Sequence, residues 1–175
     1  DTPARLILIF RVGAGAGRTT LGSALAATLV VDTQQPTVYT EYPTHQQLPV
    51  RFEFGDDLTR FHHPAGYDIQ LPQVDISLPK LVDVTLFIDE LFNQYRNIII
   101  SLPNEIDDRI IYMVARATQI AFVVTPDEAA WAEMEQLRAQ LKPHLHPEKT
   151  GLLTIANRPT AAYEERHTPG RVDFD

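Results

Sequence analysis

The chain has 175 residues, 44% of them hydrophobic and 22% charged, with a net charge of −8 and no cysteine. Such a chain can bury one substantial core but leaves little room for a second. Its acidic balance, without a lysine or arginine cluster, argues against nucleic acid or an anionic membrane as partner. The missing cysteines exclude disulfides and thiolate chemistry and fit a reducing, cytoplasmic setting. No run of about 18 apolar residues and no basic segment leading into an apolar one is present, so neither a membrane span nor a secretory leader is expected. The chain opens at Asp1, and the expectation is a single domain over residues 1–175 taken from a longer multidomain protein.

In chain order, Leu6–Arg11 reads as an apolar strand and Thr19–Val31 as a helix, followed by a second strand at Thr37–Tyr42. Pro43–Ser77 holds four prolines and scattered β-like fragments such as Arg51–Phe54, and reads as an irregular connection or a small extra hairpin. Helical patterns at Leu78–Arg96, Asp107–Thr118 and Asp127–Leu141 then alternate with strands at Asn97–Leu102, Gln119–Thr125 and Gly151–Ala156. The last of these helices opens on Asp127 and Glu128, acids suited to a helix N-terminus. The tail after Pro159 shows no clear periodicity. Strands apolar at consecutive positions are buried on both faces, and their alternation with helices predicts an α/β doubly wound, mainly parallel sheet with helices on both faces.

The segment most informative about function is VGAGAGRTT, between the first strand and the first helix. Glycines there let backbone N–H groups and a helix N-terminus converge on an anion. The same glycines would also serve a tight strand-to-helix turn with no ligand. The full phosphate-loop pattern wants glycine, four residues, glycine, lysine and then serine or threonine. Those places hold Val12, Gly17, Arg18 and Thr19. Arg18 keeps the charge but not the shape of a phosphate-binding lysine. Thr19 is placed to ligate Mg²⁺. In doubly wound sheets ligands lie beyond the strand C-termini. The second strand there ends in Thr40-Glu41-Tyr42-Pro43 and the strand at Asn97–Leu102 in Ile100-Ser101-Leu102-Pro103. Phosphoryl transfer calls for an aspartate at one of these ends. Glu41 could reach a metal through water, although a solvated acid at a strand end is the plainer reading, and Ser101 carries no charge.

These blocks together are similar to the MinD/ParA family of deviant Walker-type ATPases, which have the P-loop NTPase fold, and within it most like the ATPase domain of CpaE-type pilus-assembly proteins. GAGAGRTTLGSALAATL resembles the family's KGGxGKTT and the helix after it, and YRNIIISLPNEIDD its YDxIIIDxP strand. ATQIAFVVTPDEAAWAEMEQL resembles its ADxVxxVxxPD segment, and LLTIANRP its adenine-side strand ending in Asn-Arg. The resemblance implies a dimerising switch that sandwiches ATP between subunits and positions other machinery. It maps nucleotide contacts onto Gly13, Gly15, Gly17, Arg18, Thr19, Thr20, Asn157 and Arg158, with Thr19 also toward the metal. It also exposes departures: the lysine that crosses the dimer falls on Gly13 and the phosphate lysine on Arg18. The switch-region acid falls on Glu41, the water-orienting one on Pro43, and the Walker-B-like aspartate on Ser101. One lost electrostatic group typically costs about 10²–10³ in rate, so no catalytic residue is assigned and turnover is not expected. The expectation is a degenerate, non-hydrolysing regulatory or scaffolding module for protein partners or other domains of its parent chain, as a monomer or homodimer. ATP or ADP with Mg²⁺ would bind weakly or not at all. A functional ATP-dependent switch is the alternative.

Other candidates carry less. Gly13-Ala14-Gly15 and Gly17 form part of a dinucleotide fingerprint, with Glu41 as its ribose acid, but Arg18 stands where its third glycine belongs. His62-His63 and His144 with His146 have zinc-ligand spacings but lie in proline-containing connections without cysteine, so they read as surface histidines. Asp107-Asp108 fit a helix N-terminus, and Trp131, with Met134 and Leu137 at helical spacing, reads as core or interface packing.

Overall fold

Consecutive apolar positions set the centre of the sheet. In the computed structural model, which describes residues 3–13, 18–42, 60–70, 80–146, 148–157 and 171–174, strand β1 (Arg5–Val12) is buried at every position from Leu6 to Phe10. Strand β5 (Asn97–Leu102) is buried along its whole length. The remaining elements are α1 (Arg18–Thr33), β2 (Thr37–Glu41), β3 (Arg60–His62), β4 (Asp68–Gln70), α2 (Leu81–Gln94), α3 (Asp108–Arg116), β6 (Gln119–Val124), α4 (Glu128–Leu141), β7 (Gly151–Asn157) and β8 (Arg171–Phe174). The strands form one sheet in the order β3-β4-β2-β5-β1-β6-β7-β8. Every neighbouring pair is parallel except β3 with β4.

Side-chain alternation along β1 separates two cores. Leu6, Leu8, Phe10 and Val12 pack with Ile88 of α2, Met113 of α3 and Met134 of α4, while Ile7 and Ile9 pack on the other face with Ala26 of α1. The expected doubly wound α/β architecture is therefore present. Polar side chains tie its N-terminal rim: Asn97 Nδ2 donates to Thr33 Oγ1 (2.8 Å) and Thr37 Oγ1 (3.0 Å).

Several boundaries differ from the sequence reading. Helix α2 begins at Leu81, with Lys80 extended before it, and ends at Gln94, since Tyr95 has left the helix with φ −124° and ψ 155°. Asp107 lies outside α3 as its N-cap. The proline-rich connection contributes a true hairpin: β3 pairs antiparallel with β4 and lengthens the sheet beyond β2. Gly66, at φ +102°, makes its turn, and His63 stacks on Tyr67 at 4.6 Å. The fragment Arg51–Phe54 lies outside the described residues. The tail, read as unpatterned, supplies edge strand β8, paired parallel with β7.

Of the acids read as suited to helix N-termini, Asp107 and Asp127 are the N-caps of α3 and α4, while Asp108 and Glu128 lie in the first turns. Asp107 Oδ1 accepts from the backbone N–H groups of Arg109 (2.9 Å) and Ile110 (3.1 Å). Arg109 Nε donates to Oδ2 at 3.1 Å. The Arg109 hydrogen bond, opposed by burial and helped by the backbone donors, holds the Asp107 carboxyl below the usual aspartate range. A depressed folded-state pKa adds stability above the unfolded value and loses it as pH falls through the folded one. Asp107→Ala should therefore cost about 1 kcal/mol at neutral pH. The gap from the parent chain should close in acid below the ordinary aspartate range, as urea unfolding at stepped pH would measure. A gap that widens in acid would contradict this assignment.

Candidate functional site

Because the central strands are parallel, their C-terminal ends share one edge, and β1 lies where the chain turns from one half of the sheet to the other. That switch point is where a doubly wound sheet receives a ligand. Gly13 follows β1 there at φ +89°. A Cβ added to it would lie 2.0 Å from Thr125 Oγ1, so its backbone as it stands accepts no side chain. Arg18, Thr19 and Thr20 open α1, the helix that leaves this edge. Asn157 ends β7, two strands from β1. Side-chain positions of Arg18, Thr19, Thr20 and Asn157, together with Gly15, Gly17, Pro43 and Arg158, lie outside the described residues.

The described part of the site is a buried polar group on the α1 face of β2 and β5. Glu41 is aligned with Ser101 across the two strands. Ser101 is fully buried and Glu41 is 8% exposed. This overturns the reading of Glu41 as a solvated acid. It is enclosed because Tyr39, two residues earlier on the same face, brings its phenol alongside: Tyr39 Oη donates to Glu41 Oε1 at 2.8 Å and lies 3.1 Å from Ser101 Oγ. The Tyr39 ring has room only because α1 carries glycine opposite it. A Cβ at Gly22 would stand 2.3 Å from the ring. Sequence reasoning missed Tyr39 and Gly22, although the period-two spacing of Thr37, Tyr39 and Glu41 already placed these three on one face.

On the opposite face, Tyr42 follows Glu41 and is also buried, with its hydroxyl lacking a hydrogen-bond partner among the described residues. Burial pushes its pKa up to about 12, against the pull of Arg109, whose guanidinium lies 5.9 Å from the ring centroid. Next to β1, Thr125 Oγ1 donates to Asp127 Oδ2 at 2.6 Å, and Asp127 caps α4 by accepting from the Ala130 N–H at 2.7 Å. Trp131 packs half-buried against the core, as read. The histidines form no metal site among the described residues. His62 Nδ1 sits 2.7 Å from Asp68 Oδ1, and His144 and His146 are exposed. Among the described residues no helix is long and apolar enough to cross a membrane.

No protein-family model and no curated protein matches the sequence. The fold itself is shared with solved structures: a doubly wound sheet of the P-loop NTPase kind, as found in ParA and MinD ATPases. A ParA family ATPase from Chlorobium tepidum TLS superposes with a TM-score of 0.72 at 17% identity, over 100% of this chain and 86% of that one. The septum site-determining protein MinD from Pyrococcus horikoshii OT3, complexed with Mg-ADP, gives 0.68 at 16% identity, over 95% and 74%. A chain of the Aquifex aeolicus MinC:MinD cell division protein complex gives 0.66 at 17% identity, over 93% and 72%. The MinD/ParA likeness expected from the sequence blocks is thus present in the fold.

Proposed function

We propose that this chain is a degenerate MinD/ParA-type ATPase domain, most like those of CpaE-type proteins, that serves as a regulatory or scaffolding module in protein localisation or pilus assembly and does not hydrolyse ATP. The observation that carries this reading is Ser101: at the end of the central strand β5, where phosphoryl transfer calls for a carboxylate, stands a fully buried hydroxyl within hydrogen-bond distance of the Tyr39 phenol. Gly13 supports it independently, because a lysine cannot simply be restored where a Cβ meets Thr125 at 2.0 Å. The glycine loop and the start of α1 keep the makings of an anion site. An ADP or a phosphate would bind there on the order of millimolar, about 4 kcal/mol. The partner is another protein or another domain of the parent chain, reached as a monomer or homodimer in the cytoplasm. That fits a fold also found in a MinC:MinD complex.

Phosphate release from ATP with Mg²⁺ is expected to match the protein-free background. Arg18→Lys should not raise it, because Ser101 and Pro43 still stand where acids are needed. Magnesium-dependent release by the unaltered chain, abolished by Thr19→Ala, would replace this reading with that of a working ATP-dependent switch.

A further inference from the structure

Among the described residues, the exposed large apolar side chains are unevenly spread. Val31 stands alone and Leu152 and Leu153 alternate to opposite faces of β7, but Leu81, Val82 and Leu86 gather at the start of α2, where they are 44%, 57% and 64% exposed. Exposed apolar residues met singly need no explanation, whereas a group of them marks a contact surface. The core takes Val84, Ile88 and Leu91 of this helix. Helical periodicity then leaves Val82 and Leu86, four residues apart, as a ridge on the outer side. The flanks of that ridge differ in charge. On one, Asp89 is matched by Arg116 of α3, whose Nη1 donates to Oδ1 at 2.5 Å while its guanidinium lies 4.3 Å from the Phe92 ring centroid. On the other, Asp83 and Glu90 are two turns apart and so share one line along the helix. Asp83 Oδ2 accepts from the Lys80 N–H at 2.9 Å and Glu90 Oε1 from Gln94 Nε2 at 3.0 Å. Both donors are neutral, and neither acid has an ion pair among the described residues.

We propose that the outer side of α2 docks a basic amphipathic helix of a partner protein, whose apolar residues pack alongside Val82 and Leu86 and whose lysines or arginines align with Asp83 and Glu90. A ridge of side chains four apart is what a second helix receives in its own groove, with anchors at helical spacing. The charge of the partner follows from complementarity: α2 carries three acids and no base, on a chain of net charge −8. A second copy of this chain does not suit the surface, because it would set acids against acids. An anionic membrane does not suit it either, since helices that lie on lipid carry lysine and arginine on their polar face. This surface gives the scaffolding reading its contact and rests on that reading for the partner being a protein, while nothing in it depends on the glycine loop.

The test is an amide chemical-shift titration of the chain with two designed helical peptides, which share leucines at i, i+4 spacing and differ only in carrying lysine or glutamate at the flanking positions. The lysine peptide should shift the amides of α2 and bind about tenfold more tightly than the glutamate peptide, the scale of a few exposed charge pairs. Raising the salt should shrink that preference. Leu86→Ser, at an exposed position, should weaken the lysine peptide about fivefold through lost apolar contact. Glu90→Lys combined with Asp83→Asn keeps a side-chain acceptor at the helix start and should reverse the preference, which a merely structural disturbance would not do. Equal binding of the two peptides, shifts centred away from α2, or a preference unchanged in the charge variant would each overturn the proposal. So would self-association in sedimentation velocity, or binding to phosphatidylserine vesicles, that is lost in Leu86→Ser, since a second copy or a membrane would then be the occupant. Failure of both peptides to bind would overturn this surface and leave the non-hydrolysing reading standing, because phosphate release alone decides that.

Discussion

Phe10→Ala should lose about 3–5 kcal/mol of folding stability, the usual toll for emptying a fully buried aromatic site. Phe10 sits near the C-terminal end of β1 with no exposed surface, its ring stacked on Phe122 of β6 at a centroid distance of 5.8 Å and an interplanar angle of 20°. Truncation removes the apolar burial and also the aromatic contact that the neighbouring strand keeps with it. Since domains of this kind are stable by only about 5–15 kcal/mol, the variant should unfold at a much lower urea midpoint. Val31, 69% exposed on α1, provides the contrast. Its replacement by alanine should shift stability by no more than about 0.5 kcal/mol. Comparable midpoints for the two variants would show that β1 is not the centre of the core.

Gly22→Ala sets two effects against each other, and their magnitudes decide the sign. Alanine in a helix interior is favoured over glycine by about 1 kcal/mol. The added methyl, however, would meet the Tyr39 ring at 2.3 Å, and that ring is 1% exposed with its hydroxyl committed to Glu41 and lying beside Ser101. Neither α1 nor the ring can move without disturbing the other's packing, and overpacking of this kind costs about 1–3 kcal/mol. The net expectation is a destabilised chain, with its near-ultraviolet tyrosine signal altered. Gly22→Ala in a Tyr39→Ala background should recover the helix preference and stabilise relative to Tyr39→Ala alone. An equally damaging Gly22→Ala in that background would place the clash elsewhere.

The sheet's interior was readable because β1, β5 and β6 are apolar at consecutive positions, a pattern that does not depend on distant partners. The small β3–β4 hairpin and β8 were not. Three- and four-residue strands such as Asp68–Gln70 and Arg171–Phe174 are too short for a period to show, and they are strands only because β2 and β7 offer them an edge. The loop glycines carry the pattern of a phosphate-type turn, and of them only Gly13 lies among the described residues. Glu41 did not announce its burial. Whether a carboxylate at a strand end is solvated depends on what lies across from it, and that is Ser101, distant in sequence and adjacent in the sheet. The spacing of Tyr39 and Glu41 carried part of the answer, since residues two apart on a strand share a face. The space that Gly22 leaves for the Tyr39 ring is a tertiary fact with no local trace.

The strand order also dictates when the protein can fold. β1 and β2 come first in the chain but do not pair with each other: β5 lies between them, Arg5 aligning with Asn97 on one side and Thr37 with Asn97 on the other. A nascent chain that has emerged only as far as α2 holds β1 without either of its neighbours, and β2 with only the short strand β4 beside it. Contacts of such long sequence separation slow folding, because the intervening loop must be closed before any of them forms. Strand β5 is thus the keystone of assembly. Until it is made, the apolar faces of β1 depend on the later part of the chain for shelter.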